Sequence, residues 1–280
     1  MSSVDGQIKL KIDTSKFNLE PLKALVKDMP FISRDKKDTV ISIIDNPIQA
    51  IANATSTPIC QRPAPYETLT LALQWTPGLC HQSKRGYCNR EKVVNYFTIH
   101  GLWPSSLKTN SSSSKKKVKH PEFCCNQNFN MTDAKASIHG LDKVWPTVLQ
   151  KSSLESFLDH EWRKHGSCAH ASSAKIKSHA DYFNVTGQLY NKTKIGDWLA
   201  SEKILPRHNY AYSTEQIHRA ISSKIGDRDV IVSCRIQNKV SYLKEIRICF
   251  DPDTLEYKDC YGRNRDHNCK NNRAIIIPRN

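Results

Sequence analysis

No C-x-x-C pair occurs in the sequence, and no apolar run reaches the ~18 residues that a membrane-spanning helix needs. The N terminus, MSSVDGQIKLKIDTSKF, also lacks the apolar core of a secretory signal. The first absence argues against zinc ribbons and thiol redox motifs, and the second excludes a spanning helix. Acidic side chains are scarce too. The 27 Asp and Glu residues face 42 Lys and Arg, a formal charge of +15 over 280 residues. A surplus of that size favours a polyanionic partner, and it leaves nucleic acid, an acidic glycan and an anionic membrane surface all open.

What the chain does have is cysteine and glycan acceptors. Ten cysteines are dispersed through loop-like and strand-like segments, an even number that reads as five disulfides. Five N-x-S/T sequons, at Asn53, Asn110, Asn130, Asn184 and Asn191, belong to the same secretory route. The expected location is therefore secreted, lysosomal or vacuolar, although the N terminus as written carries no export signal.

Charge and pattern divide the chain. Residues 1–60 are nearly balanced, with 8 basic against 7 acidic side chains, so the basic excess belongs to the later part. We read residues 1–66 as an N-terminal extension of unassigned role. Two short amphipathic helices, NLEPLKALVKDM and KDTVISIIDNPIQAIA, are expected there, with Asn18 and Asp38 as caps. Residues 67–280 form the main domain. YETLTLALQW and VVNYFTIHGLW have the composition of central strands, and LKTNSSSSKKKVKHPE reads as a polar surface loop. Helices are expected at about 141–151, 153–165, 178–191, 194–203 and 213–225. The strands then return in DVIVSCRI and SYLKEIRICF, and DPDTLEYKDC turns into another. Strands, then helices, then strands indicate an α+β fold, an antiparallel sheet core packed with helices.

The densest chemistry lies in LDHEWRKHGSC, Leu158 to Cys168. A zinc-binding H-E-x-x-H helix needs histidines four apart; here they are five apart and would diverge by about 140° on an α-helix. The pairs that align are His160 with Lys164 and Glu161 with His165. Two proton-transfer candidates, a cation and a carboxylate on one face suit an anionic guest better than a metal. A second segment, FTIHGLWPSS, puts His100 where a strand yields to a glycine turn. Taken alone, His100 reads as a hydrogen-bonded structural residue, and Glu161 with Lys164 as a surface ion pair worth a few tenths of a kcal/mol.

Together, FTIHGLWP and HEWRKHGSC closely resemble the two active-site segments of the ribonuclease T2 family of acid ribonucleases. The resemblance runs over roughly residues 68–270 and includes LALQW, CCNQNFNMT, LDKVWPTVL and the late VSC and LKEIRICFD segments. It implies cleavage of single-stranded RNA through a 2′,3′-cyclic phosphate to products ending in 3′-phosphate, with no metal or other cofactor. By position, His165 resembles the family's general base and His100 its general acid; Lys164 would offset charge on the non-bridging oxygens, and Glu161 would hold a histidine or hydrogen-bond a protonated phosphoryl oxygen. His160 resembles an auxiliary phosphate-binding histidine, Trp103 a residue that stacks on one base, and Gln74 one that hydrogen-bonds the second base. Imidazole titrates near 6.5, so an enzyme needing one neutral and one protonated ring has a mildly acidic optimum. Leu158 departs from the pattern, since relatives usually carry a tryptophan there. Trp75 and Trp162 are expected in the core.

The resemblance also implies the pairings Cys80–Cys88, Cys125–Cys168, Cys234–Cys269 and Cys249–Cys260, a framework that leaves Cys60 with Cys124. The expected partner is single-stranded RNA, bound by a monomer with no membrane span; the N-terminal extension is a candidate surface for a protein partner. The SKKKVKH run reads equally as an RNA-steering tip or a solvated one. The alternative reading of the whole chain is a secreted glycoprotein of signalling or host-directed role that uses the ribonuclease scaffold as a basic surface.

Overall fold

The computed structural model describes residues 27, 66–109, 116–119, 121–125, 127–260, 266, 267, 269 and 274–280. The chain divides into two units, Met1–Ile59 and Cys60–Asn280, and every described residue except Lys27 lies in the second. The helices expected in the N-terminal extension, their caps Asn18 and Asp38, and the sequons Asn53 and Asn110 lie outside the described residues.

The sheet is built around β1, Thr68–Trp75, all eight of whose residues are buried. TLTLALQW can occupy that position because its threonines Thr68 and Thr70 bond to Ser105 and, Gln74 apart, the rest are apolar on both faces. On one side β1 pairs antiparallel with β2, Phe97–Thr109, and on the other with β6, Val240–Phe250. Outward from β6 lie β5, Ile231–Gln237, and the short β8, Asp266–His267. The core of the sheet is antiparallel, as expected for the α+β class. Two-residue additions at its periphery, β8 on β5 and β9 (Ile275–Ile276) on β6, run parallel. β4, Ala211–Tyr212, pairs with β9, and β7, Tyr257–Lys258, pairs with β6.

The polar stretch read as a surface loop is partly ordered instead. β2 runs on to Thr109, and β3, Lys116–Lys119, pairs back onto it with Ser106 opposite Lys119. Leu107, Thr109 and Val118 have enough strand propensity to continue the ladder that the buried half of β2 begins.

Two bulges interrupt the sheet. Between β1 and β2, Ala72 pairs with Gly101 and Leu73 with Ile99, so His100 is the extra residue of the first. Between β5 and β6, Ser233 pairs with Glu245 and Cys234 with Leu243, so Lys244 is the extra residue of the second. A bulge breaks the in-out alternation and re-aims the side chains beside it.

Helices cover the sheet. After α1, Thr76–Cys80, come α2, Met131–Ser137, and α3, Leu141–Val144. The helix expected over 141–151 stops after one turn because Pro146 follows Trp145 and disfavours helical geometry in the residue before it. Next come α4, Leu154–Glu161, a π-helical turn over Trp162–Gly166, and α5, Ser167–Ser172, running on without a break. The Ser153 hydroxyl caps α4 by accepting from the Ser156 amide at 3.0 Å. The remaining helices are α6, His179–Lys192, α7, Ile195–Ser201, and α8, Thr214–Ser222. α8 opens with a reciprocal capping box between Ser213 and Gln216.

Leu71, Leu73, Ile99 and Leu102 from the sheet meet Trp145, Trp162, Tyr182 and Phe183 from the helices in one core. Leu158, where a tryptophan was expected, is fully buried in it, and Trp75 and Trp162 pack in it too. Asn130, Asn184 and Asn191 are exposed. Among the described residues no helix is long and apolar enough to cross a membrane.

Bridges join Cys80–Cys88, Cys234–Cys269 and Cys249–Cys260. The fourth differs from expectation: Cys124, not Cys125, is bonded to Cys168. The expected Cys60–Cys124 pair falls with it. Cys125 is itself disulfide-bonded, and Cys60 lies outside the described residues. Phe123, immediately before the pair, sits at φ 55, a left-handed turn that redirects the chain where the neighbouring cysteines must choose sides.

Candidate active site

The bulge in β2 pushes His100 out of the regular ladder and leaves its side chain 27% exposed. Its backbone is fixed by Trp145, whose indole N–H donates to the His100 carbonyl at 2.9 Å. Its ring stacks on Phe157 at 6.0 Å and meets Trp103 edge-on at 5.0 Å. Nδ1 lies 2.6 Å from Glu245 Oε2, a contact the sequence did not announce.

Glu245 is completely buried on β6. Its other oxygen accepts from Arg247 Nε at 2.7 Å, and the Arg247 guanidinium lies 4.9 Å from the centroid of the Trp103 ring. Burial would raise the Glu245 pKa. The His100 cation and its hydrogen bond, with Arg247 and Lys244, overcome burial and hold it at about 2. An ionised Glu245 can only accept, so the proton between the two groups sits on His100 Nδ1, and Nε2 is the nitrogen available to a substrate. Burial pulls the His100 pKa down. The Glu245 charge, the hydrogen bond and the nearby Glu161 charge outweigh it, and the net direction is upward.

From the helical side, α4 and the π turn deliver Glu161, Lys164 and His165. The 140° divergence expected of His160 and His165 holds for an α-helix only, whereas a π turn closes i→i+5 and brings residues five apart closer to one face. His165 is 6% exposed, its ring 5.3 Å from Trp103. Glu161 is 2% exposed and accepts from Trp103 Nε1 at 2.9 Å; burial pushes its pKa up, against the His100 charge and the Trp103 hydrogen bond. Glu161 and Lys164 do not form the surface ion pair considered from sequence. Lys164 instead lies 3.4 Å from Glu122, and its carbonyl accepts from the Phe123 amide at 3.0 Å. The Cys124–Cys168 bridge thus fastens the segment that carries Glu122 to α5, directly after the π turn.

His160 is exposed at the rim, where partial burial and the Lys164 and His100 charges lower its pKa. Gln74 is 8% exposed on β1 and pairs directly with Glu245 across the sheet, so it shares the face that Glu245 uses. Trp103 differs from the expected open stacking platform. It is 7% exposed, with its N–H on Glu161 and Arg247 over its ring, and it works here as the common wall of the site. His100, His165 and Glu161 all touch this one indole. Gly101 permits the closeness, because a Cβ there would collide with Glu161 Oε2 and Trp103 Nε1.

The arrangement therefore joins an imidazole whose pKa is raised, a second imidazole, a buried carboxyl group and an ammonium group. It can move two protons and stabilise an anionic centre.

Comparison with known proteins agrees with this geometry. Residues 66–260 match the model of the ribonuclease T2 family. The chain is 32% identical over 188 residues to Ribonuclease Oy of Magallana gigas, spanning 66% of this chain and 83% of the relative. Among solved structures it resembles ribonuclease MC1 from bitter gourd seeds, with a TM-score of 0.61 and 28% identity over 76% of this chain and all of that one. A variant of ribonuclease MC1 solved in complex with 5′-GMP superposes with a TM-score of 0.59, 29% identical over 71% of this chain and 95% of that one.

Proposed function

Because the chain belongs to the ribonuclease T2 family of endoribonucleases, we propose that it cleaves single-stranded RNA by transphosphorylation, giving a 2′,3′-cyclic phosphate that water then opens to a 3′-phosphate. RNA brings its own nucleophile, the ribose 2′-hydroxyl, so the protein must remove one proton, supply another and offset charge on phosphorus. The observation that carries the reading is that His100 and His165, from distant parts of the chain, pack against a single indole with Glu161 hydrogen-bonded to it.

His165 takes the 2′-hydroxyl proton. His100, kept charged by Glu245, gives a proton from Nε2 to the departing 5′-oxygen, and the two exchange roles when water attacks the cyclic phosphate. Lys164 faces the charge that grows on the non-bridging oxygens. Glu161, which accepts the Trp103 N–H at 2.9 Å, accepts a further hydrogen bond from a protonated phosphoryl oxygen. His160, beside Lys164 at the rim, receives a phosphate, and Gln74 lies on the face where a base would bind. The disulfides and exposed sequons support folding in an oxidising compartment, with a secreted, lysosomal or vacuolar destination.

The test is cleavage of a short RNA in excess EDTA, beside the same RNA with a 2′-deoxy sugar at the scissile position and beside the His100→Ala/His165→Ala double variant. Full activity in EDTA, a cyclic-phosphate intermediate and resistance of the deoxy substrate are expected. Cleavage of the deoxy substrate, or loss of activity on chelation, would overturn the mechanism.

A further inference from the structure

Beyond the catalytic cluster, β5, β6 and the segment after α1 enclose a groove whose lining includes Lys84, Tyr87, Arg235, Ile236 and Lys244 and no carboxylate. Tyr87 and Ile236 are 46% and 42% exposed, so both present apolar surface to a guest in this groove. Arg235 is held in place by donating to the Leu79 carbonyl, and its guanidinium stands 6.0 Å from the Tyr87 ring centroid. Lys84 also lines an adjoining groove with Arg85 and Arg90, where Glu91 is the one carboxylate. Neither Lys84, Arg85 nor Lys244 pairs with a carboxylate among the described residues. The concentrated positive charge is felt nearby: His81 has its pKa lowered by burial first, then by His208, Arg90 and Arg235.

Lys244 connects this groove to the chemistry. It is the extra residue of the β6 bulge, it precedes Glu245, and its charge acts on both His100 and Glu245 while its side chain lines the groove. Cations flanking an exposed aromatic ring are the elements with which proteins hold single-stranded nucleic acid, phosphates on the charges and a base on the ring.

We propose that this groove is a second RNA-binding site, which holds the single strand beyond the scissile bond with one base on Tyr87 and the adjoining phosphates on Lys84, Arg235 and Lys244. The inference rests on the ribonuclease reading above and adds a length requirement to it: a dinucleotide fills the catalytic cleft alone, whereas a longer strand reaches Tyr87.

The experiment compares a dinucleoside monophosphate with a single-stranded RNA of about 12 nucleotides, in the full-length wild type and in the Lys84→Glu/Tyr87→Ala variant. Neither substituted residue touches a catalytic group. On the dinucleotide, kcat and KM should be unchanged, which also shows that the variant is folded. On the longer RNA, KM should rise by about tenfold to a hundredfold, and log KM should depend less steeply on log salt. Equal kinetics on the longer RNA, or an equal loss on both substrates, overturns the second site. Unchanged RNA kinetics with lost retention on heparin would reassign the groove to an acidic glycan and also refute it. A wild type inactive on both RNAs refutes the ribonuclease reading itself, a result distinct from either.

Discussion

Glu245→Gln separates the charge of the His100 partner from its shape. Glutamine keeps an oxygen within reach of His100 Nδ1 but removes the negative charge that opposes burial. In the wild type burial lowers the His100 pKa while the Glu245 charge, its hydrogen bond and Glu161 raise it further. With Glu245 neutralised, burial has only Glu161 against it, so the His100 pKa must fall. In the proposed mechanism His100, as the acid of the first step, has to carry a proton, and kcat/KM then declines about tenfold per pH unit above its pKa. The descending limb of the pH profile should therefore move to lower pH. On the acidic plateau activity should stay within about threefold of wild type; at neutral pH it should drop about tenfold for each unit the limb has moved. Stability should fall as well, because Arg247 loses its ion-pair partner. His100 and Arg247 are 27% and 18% exposed, which puts the loss at the low end for a buried pair, about 3 kcal/mol, or roughly 6–12 °C in Tm for a domain of this size. The assay is kcat/KM on a dinucleoside monophosphate across about pH 4 to 8, with the His100 ring titrated by NMR. A descending limb that stays in place, or moves upward, would refute the coupling of Glu245 to the acid.

The same pair makes wild-type stability depend on pH. The Glu245 pKa is lowered from 4.5, so its contribution is present above that value and is lost as pH falls towards about 2; that of His100 is raised from 6.5, so its contribution is full below 6.5 and fades as pH climbs through the raised value. Urea midpoints should accordingly peak between pH 4.5 and 6.5, and this peak should flatten in Glu245→Gln. Gly101→Ala should force Glu161 and Trp103 apart and lower kcat by at least about a hundredfold, measured alongside circular dichroism to confirm the sheet; near-normal turnover would remove Gly101 from the explanation. Cys124→Ser with Cys168→Ser opens a bridge of sequence separation 44 and should cost about 4 kcal/mol on the chain-entropy model. Peptide mapping without reduction should recover Cys124 with Cys168; recovery of Cys125 with Cys168 would contradict the pairing.

The two histidine segments were legible because each packs its chemistry into a few consecutive residues, and the alternating, β-rich runs announced β1, β2, β5 and β6. What sequence reading missed depends on single-residue phase. In LKEIRICF, Glu245 looks like one of three charges on a strand surface, flanked by Lys244 and Arg247. Only the bulge at Lys244 turns Glu245 inward to His100, and a one-residue shift in a strand exchanges its faces. The choice between Cys124 and Cys125 has the same character, since adjacent residues on extended chain point opposite ways, and the left-handed turn at Phe123 stands immediately before the pair. The π turn is a third instance: an extra residue per turn at Trp162–Gly166 shifts the direction of His165 from the one an uninterrupted α-helix would give it. His100 and Glu245 thus sit at or beside bulges and His165 in the π turn, each at a break in regular hydrogen bonding. Regular structure repeats its side chains on fixed faces, whereas converging groups from β2, β6 and a helix on one indole requires the register to slip at those points. Restoring regularity should therefore damage activity more than stability. Deleting Lys244 to close the β6 bulge tests this directly: a variant that folds but keeps wild-type turnover would show that the irregularities are incidental.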